Sequence, residues 1–205
     1  MNRWTVRNSL RQPERAWLGA GGSLTAWLVA TGRAFSVEVL QQGRQCLRPN
    51  ESRALKSPSG RPGYVREVLL RLDGDAVVFA RSVTTHAASR GPWRSLRGLA
   101  TRPLADVLFS RMPAARAPLE FAQLKPASPL QRDVVKTWRR SAGVPVRSGA
   151  LPARRSVFKR AGAPLLVMEV FAAPDAPWDL PRPRRSLALA YRLHSNLSYQ
   201  GNSDE

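Results

Sequence analysis

The chain has 205 residues, 43% of them apolar, enough for one domain with a substantial core and too apolar for a disordered chain. Its 33 Lys and Arg against 14 Asp and Glu give a formal charge of +19, which raises nucleic acid, an anionic membrane or an anionic small molecule as partner. Of those 33 cations 29 are arginine, the bias a GC-rich genome imposes on surface positions, so the charge alone argues for no partner. One cysteine, Cys46, excludes an internal disulfide, and His86 and His194 have no metal-ligand spacing. There is no secretory apolar region and no run long enough to span a membrane, so a cytoplasmic protein without a metal is the expectation.

Residues 1–16 are polar and basic and read as a loose arm. Ser23 can cap a helix over about 24–31 that stops at Gly32. FSVEVL (35–40) alternates apolar and polar residues, as a strand does, and residues 48–63, with Pro49, Pro58, Gly60, Pro62 and Gly63, read as a loop. GYVREVLLRLDGDAVVFARSVT (63–84) is two strand-like runs around Asp73-Gly74, the strongest short hairpin signal. In its first strand Arg66, Val68, Leu70 and Leu72 share one face. Val65, Glu67, Leu69 and Arg71 share the other, whose opposite charges make it the expected solvent face. A two-residue turn sets Arg66 opposite Arg81; a loop one residue longer sets it opposite Ser82, with Ala80 on the same face. The sequence does not choose between them.

Ser89 to Pro92 reads as a turn, and 93–109 as two short helical pieces, the second capped by Thr101 with Pro103 in its first turn. APLEFAQL (117–124) is strand-like. A basic insert at about 122–149 reads as a loop, apart from a helix-compatible piece around Trp138. RRSVFKRAGAPLLVMEVF (154–171) is strand, Gly-containing turn, strand, and the tail after 178 has a candidate helix at 186–194. In the last strand Leu165, Val167, Glu169 and Phe171 share a face, so Glu169, like Arg66, is a charge among apolar side chains.

A buried carboxylate costs several kcal/mol unless something compensates it. Two readings fit these odd charges. One is a buried Arg–Glu ion pair without function. The other is a site where both face a ligand, the arginine gripping a carboxylate with its fork and the glutamate taking a hydroxyl or exchanging its proton. TRPLADVLF adds the backbone N–H of Leu104, placed in a helix's first turn, where free N–H groups attract anions.

Four segments together resemble the chorismate lyase family: SLTAWL (23–28), YVREVLLRLDGDAVVFARSV (64–83), TRPLADVLF (101–109) and RRSVFKRAGAPLLVMEVF (154–171). They stand in the family's order, and the similarity runs over about residues 17–178. The resemblance implies an α+β fold: a single antiparallel sheet with flanking helices and flap loops enclosing a ligand pocket. It implies an enzyme that splits chorismate into 4-hydroxybenzoate and pyruvate, the first step supplying the ubiquinone ring. No cofactor, nucleic acid or membrane span is implied, and a monomer is expected. It also implies roles. Arg66 holds the ring carboxylate, Glu169 lies by the product hydroxyl, and Leu24 and Leu104 touch the ligand, Leu104 through its backbone. Ala80 and Ala105 stand where the family usually has Gly, Ala80 against the ligand. Arg81 is a second candidate cation, conditional on the hairpin register. The segment 122–149 and the tail after 178 exceed the family pattern. Two other classes compete. A ligand-sensing module of the same fold would usually follow a DNA-binding domain, for which the first 20 residues are too short. A basic nucleic-acid-binding or membrane-surface protein would interleave aromatics with its charges, and only Trp138-Arg139-Arg140 does so.

Overall fold

The computed structural model describes residues 3–10, 12–109, 114–175, 177–178 and 180; the candidate helix at 186–194 lies outside them. Along the chain come α1 (Glu14–Leu18), α2 (Leu24–Val29), β1 (Phe35–Cys46), α3 (Pro49–Ala54), β2 (Pro62–Leu72) and β3 (Asp75–Thr85). Then follow α4 (Ala105–Leu108), β4 (Ala115–Arg116), β5 (Glu120–Leu124), α5 (Pro129–Ser141), β6 (Leu151–Arg160) and β7 (Ala163–Val170). Short 3-10 turns at Ala88–Arg90 and Arg94–Leu96 lie between β3 and α4. All seven strands form one sheet in the order β1-β2-β3-β7-β6-β4, with β5 also pairing β6, and every pairing is antiparallel.

Two hairpins make the centre of this sheet, and each turns through two residues with positive φ. These are Asp73 (50°) and Gly74 (89°) between β2 and β3, and Ala161 (46°) and Gly162 (74°) between β6 and β7. That is the turn whose twist matches the flanking strands. Asp73 is tied further: its carboxylate accepts hydrogen bonds from the Ala34 N–H at 2.8 Å and from Arg33 Nε at 2.6 Å.

The first hairpin resolves the register. Leu72 pairs with Asp75 and Arg71 with Ala76, as a two-residue turn requires, but Leu70 then pairs with Val78. Val77 is the extra residue of a bulge. Beyond it Arg66 faces Ser82 and Val68 faces Ala80, while Arg81 faces Glu67 on the opposite side of the sheet.

The Arg66 face is covered by α1, α2, α4 and the 86–104 segment. Trp17, Leu18, Leu28, Val68, Leu70 and Phe171 form one apolar cluster there, and Trp93, Leu96, Leu99, Phe158 and Leu165 another. The face expected to meet solvent is covered as well, because one segment read as a loop holds a helix and the helix-compatible piece around Trp138 extends over 13 residues. Within 48–63, α3 starts at Pro49, and Glu51 reaches back to accept the Arg48 N–H at 2.9 Å. Within 122–149, α5 is capped by the Ser128 hydroxyl, and its buried Val134 and Trp138, four residues apart, pack on Leu69, Phe79 and Met168. Leu55 packs on Val65, Val83 and Leu166 beside them. Two smaller expectations also change. The N-terminal residues are not loose at Thr5, which exchanges two backbone hydrogen bonds with Phe121 of β5. The helix in 101–109 starts after Leu104, its N-cap, and not after Thr101. No helix among the described residues is long and apolar enough to cross a membrane.

Candidate functional site

The sheet places its odd charges in two adjacent rows on the covered Arg66 face. Val68, Ala80, Glu169, Arg154 and Phe121 follow one another across β2, β3, β7, β6 and β5. Arg66, Ser82, Val167 and Ser156 form the neighbouring row, two residues along each strand and so on the same face. Above Glu169, Arg154, Ser156 and Val167 lies a cavity of about 50 Å³, roofed by Gly22–Thr25 and by Leu104, Ala105, Leu108 and Phe109. Such a volume holds little more than ordered water, so a ring can enter only if α2 and α4 give way.

Glu169 has a partner inside the protein. Arg154 stands directly opposite it on β6, and Arg154 Nε donates to Glu169 Oε2 at 2.5 Å. Arg154 is fully buried, and its second arm donates to the carbonyls of Leu18 (3.0 Å), the last residue of α1, and Ala20 (2.9 Å) just beyond it. One ion pair thus locks the helical N-terminal segment to the sheet and aims the Glu169 side chain. Glu169 still lines the cavity, and its other oxygen, Oε1, makes no hydrogen bond to the described residues.

Arg66 is buried without a carboxylate partner. Its Nη2 donates to the carbonyls of Ala100 (2.8 Å) and Arg102 (3.1 Å), and its Nε has no partner. Burial pushes its pKa down to about 10. It grips the loop that leads into Leu104, and Leu104 in turn lines the cavity.

The structure therefore brings Leu24, Leu104 and Glu169 together around one cavity. Arg66 and Ala80 lie on the same face beside it without lining it; Ala80 is directly opposite Glu169. Arg81 is elsewhere. On the other face its Nε meets Glu51 at 2.6 Å and its Nη1 meets Glu67 at 2.6 Å, all three buried beneath α3. The bulge at Val77 is the reason: it keeps Arg66 and Ala80 facing the cavity and leaves Arg81 behind the sheet.

Two arginines absent from the sequence reading border the cavity: Arg154 and Arg116. Counting back from a two-residue turn at Ala161-Gly162 sets Arg154 against Glu169, so that signal was legible. Arg116 follows a segment with no strand pattern, and only its pairing with Phe158 brings it here. Its guanidinium lies over the Phe158 ring, 5.2 Å from the centroid, and Nη1 donates to the Gly22 carbonyl at 2.8 Å. Burial and the neighbouring Arg154 charge push its pKa down to about 10 against the opposing pull of Glu169. Among the described residues no three His, Cys, Asp or Glu converge as metal ligands would.

The arrangement is a small, partly open space with one carboxylate edge, arginines around it and apolar walls, suited to an anionic ring bearing a hydroxyl. The chorismate lyase family model matches residues 4–179. A "Probable chorismate pyruvate-lyase" of Albidiferax ferrireducens is 59% identical, covering 87% of this chain and 90% of that protein. The chain belongs to the chorismate lyase family. A second chorismate lyase relative, "Probable chorismate pyruvate-lyase 1" of Pseudomonas fluorescens, is 39% identical over 82% of this chain and 88% of its own length. Among solved structures, the C-terminal domain of PhnF superposes with a TM-score of 0.54 at 16% identity, covering 76% of this chain and 93% of that one. At that identity the match concerns the fold alone, and it agrees with the single antiparallel sheet expected of a chorismate lyase.

Proposed function

We propose that the protein is a chorismate lyase, converting chorismate to 4-hydroxybenzoate and pyruvate. Membership of the family over residues 4–179 carries this reading, and the carboxylate edge of the cavity fits it. Chorismate is a ring carboxylate with a second carboxylate on an enolpyruvyl ether. In the reaction the ether bond at the ring carbon breaks and the adjacent ring carbon gives up its hydrogen as a proton. The departing enolpyruvate gains a proton to become pyruvate, and the remaining ring is aromatic. Aromaticity supplies the driving force, so the protein's task is to orient the substrate and meet charge as it moves.

In this reading Arg66 turns its free Nε to the ring carboxylate. Glu169, aimed by Arg154, takes the ring hydroxyl through Oε1 and helps move the proton. Leu24 and Leu104 press on the ring faces, the Leu104 N–H adds a donor, and Ala80 narrows the floor beside Glu169. The product is the ring precursor of ubiquinone, and the protein works in the cytoplasm as a monomer without a cofactor; the mass of the active species in light scattering tests the monomer. The deciding experiment adds chorismate to purified protein and follows 4-hydroxybenzoate by ultraviolet absorbance and pyruvate by a coupled assay. Equal amounts of both are expected from the wild type, with turnover lower by about 10²-fold or more in Glu169→Ala. Folded wild type that makes neither product would overturn the reading.

A further inference from the structure

Four arginines of the sheet differ in one respect. Arg81 is balanced by Glu51 and Glu67, and Arg154 by Glu169. Arg66 and Arg116 make no ion pair with any described residue and bond only to backbone carbonyls. In each the Nε is buried and has no partner. A cation drawn out of water without a counter-ion is costly, and these two, Arg66 buried and Arg116 half-buried, stand on one sheet face, on β2 and β4. The cavity lies between them. Within its lining Arg154 and Glu169 cancel, which leaves Arg116 as the uncompensated charge.

We propose that Arg116 receives the second carboxylate of the substrate, the one on the ether side chain, so that two unpaired arginines grip a dicarboxylate. This deepens the lyase reading and rests on it. The consequence is discrimination. A dicarboxylate neutralises both arginines, whereas the ring left after cleavage carries one carboxylate and engages Arg66 alone. Arg116 thus grips a group that the substrate has and the aromatic product lacks. Its stacking on Phe158 and its bond to Gly22 set the guanidinium before the ligand arrives, which lowers the ordering cost of binding.

The test compares two unreactive ligands by calorimetry: meta-carboxymethoxybenzoate, a dicarboxylate, and meta-methoxybenzoate, which lacks the ether-side carboxylate. Wild type should bind the dicarboxylate roughly tenfold to a hundredfold more tightly, the range of one charged hydrogen-bonded contact. Arg116→Gln should erase that preference, change meta-methoxybenzoate affinity by less than about threefold, and raise the KM for chorismate with a smaller change in kcat. Arg116→Lys should restore part of the preference, since it keeps the charge and loses the fork. Equal affinity of wild type for the two ligands overturns the proposal without any variant. So does an Arg116→Gln protein that keeps the preference, or one that loses both ligands alike. Failure of the lyase reading has a separate signature: no 4-hydroxybenzoate from wild type, whatever the ligand preference.

Discussion

Glu169 and Arg154 are one unit, and the pairing changes what each substitution should do. Removing Arg154 strands a carboxylate on a covered face and frees the carbonyls of Leu18 and Ala20. Arg154→Ala should cost about 3–5 kcal/mol in urea denaturation, as breaking a buried pair from one side does. Arg154→Leu combined with Glu169→Leu should recover most of that loss and remain inactive, because the burial problem is gone and so is the carboxylate. A double variant with substantial turnover would show that the pair is structural only. At this scale the residues that matter were half legible. Glu169 and Arg66 stood out as charges in apolar rows. Arg154 could have been counted from its turn, but it sat in an arginine-rich run where one more cation drew no notice. Arg116 has no local signature at all.

The elements that the sequence shows best are those whose signal is local. The Ser23 cap, the Asp73-Gly74 turn and the β6–β7 hairpin lie where the chain's own turn and cap chemistry puts them. The first turn offers a pH test. The Ala34 and Arg33 contacts hold the Asp73 carboxyl below its usual value of 3.8. A carboxyl depressed in the folded state adds stability above the unfolded pKa and loses it as pH falls through the folded one. Wild type should therefore lose more Tm than Asp73→Asn between about pH 5 and pH 2, while Asn-Gly keeps the turn. Parallel melting curves would refute the assignment. The element missed was α3, and α5 was legible only as a short piece around Trp138. Proline and glycine on either side of α3, and the charge density of α5, masked helices whose stability comes from the sheet they cover, through Leu55, Val134 and Trp138. The bulge at Val77 left no mark in composition, yet it decides which side of the sheet Arg81 takes.

Across the whole molecule the sheet separates two jobs. One face carries the cavity, with Glu169 and Arg154 in its lining and Arg66 beside it; the other, with Glu51, Glu67 and Arg81 under α3, is a buried ion cluster that ties the helix to the hairpin. Glu51→Ala should cost about 3–5 kcal/mol by leaving Arg81 short of a carboxylate, and the kcat of the folded fraction should stay within about twofold of wild type. A tenfold fall in kcat at temperatures where the variant is folded would mean that the faces are coupled through β2 and β3. By itself the sequence determined the two hairpins, the capped α2 and the two conspicuous charges, all of which follow from spacing and turn chemistry within some twenty residues; the single-sheet class came from the resemblance of four segments to a family. Only the tertiary structure decided that Glu169 answers to Arg154, that Arg81 faces away, that both faces are covered and that Arg116 reaches the cavity. Each of those depends on which strands become neighbours and on one inserted residue, and side-chain period alone carries no information about either.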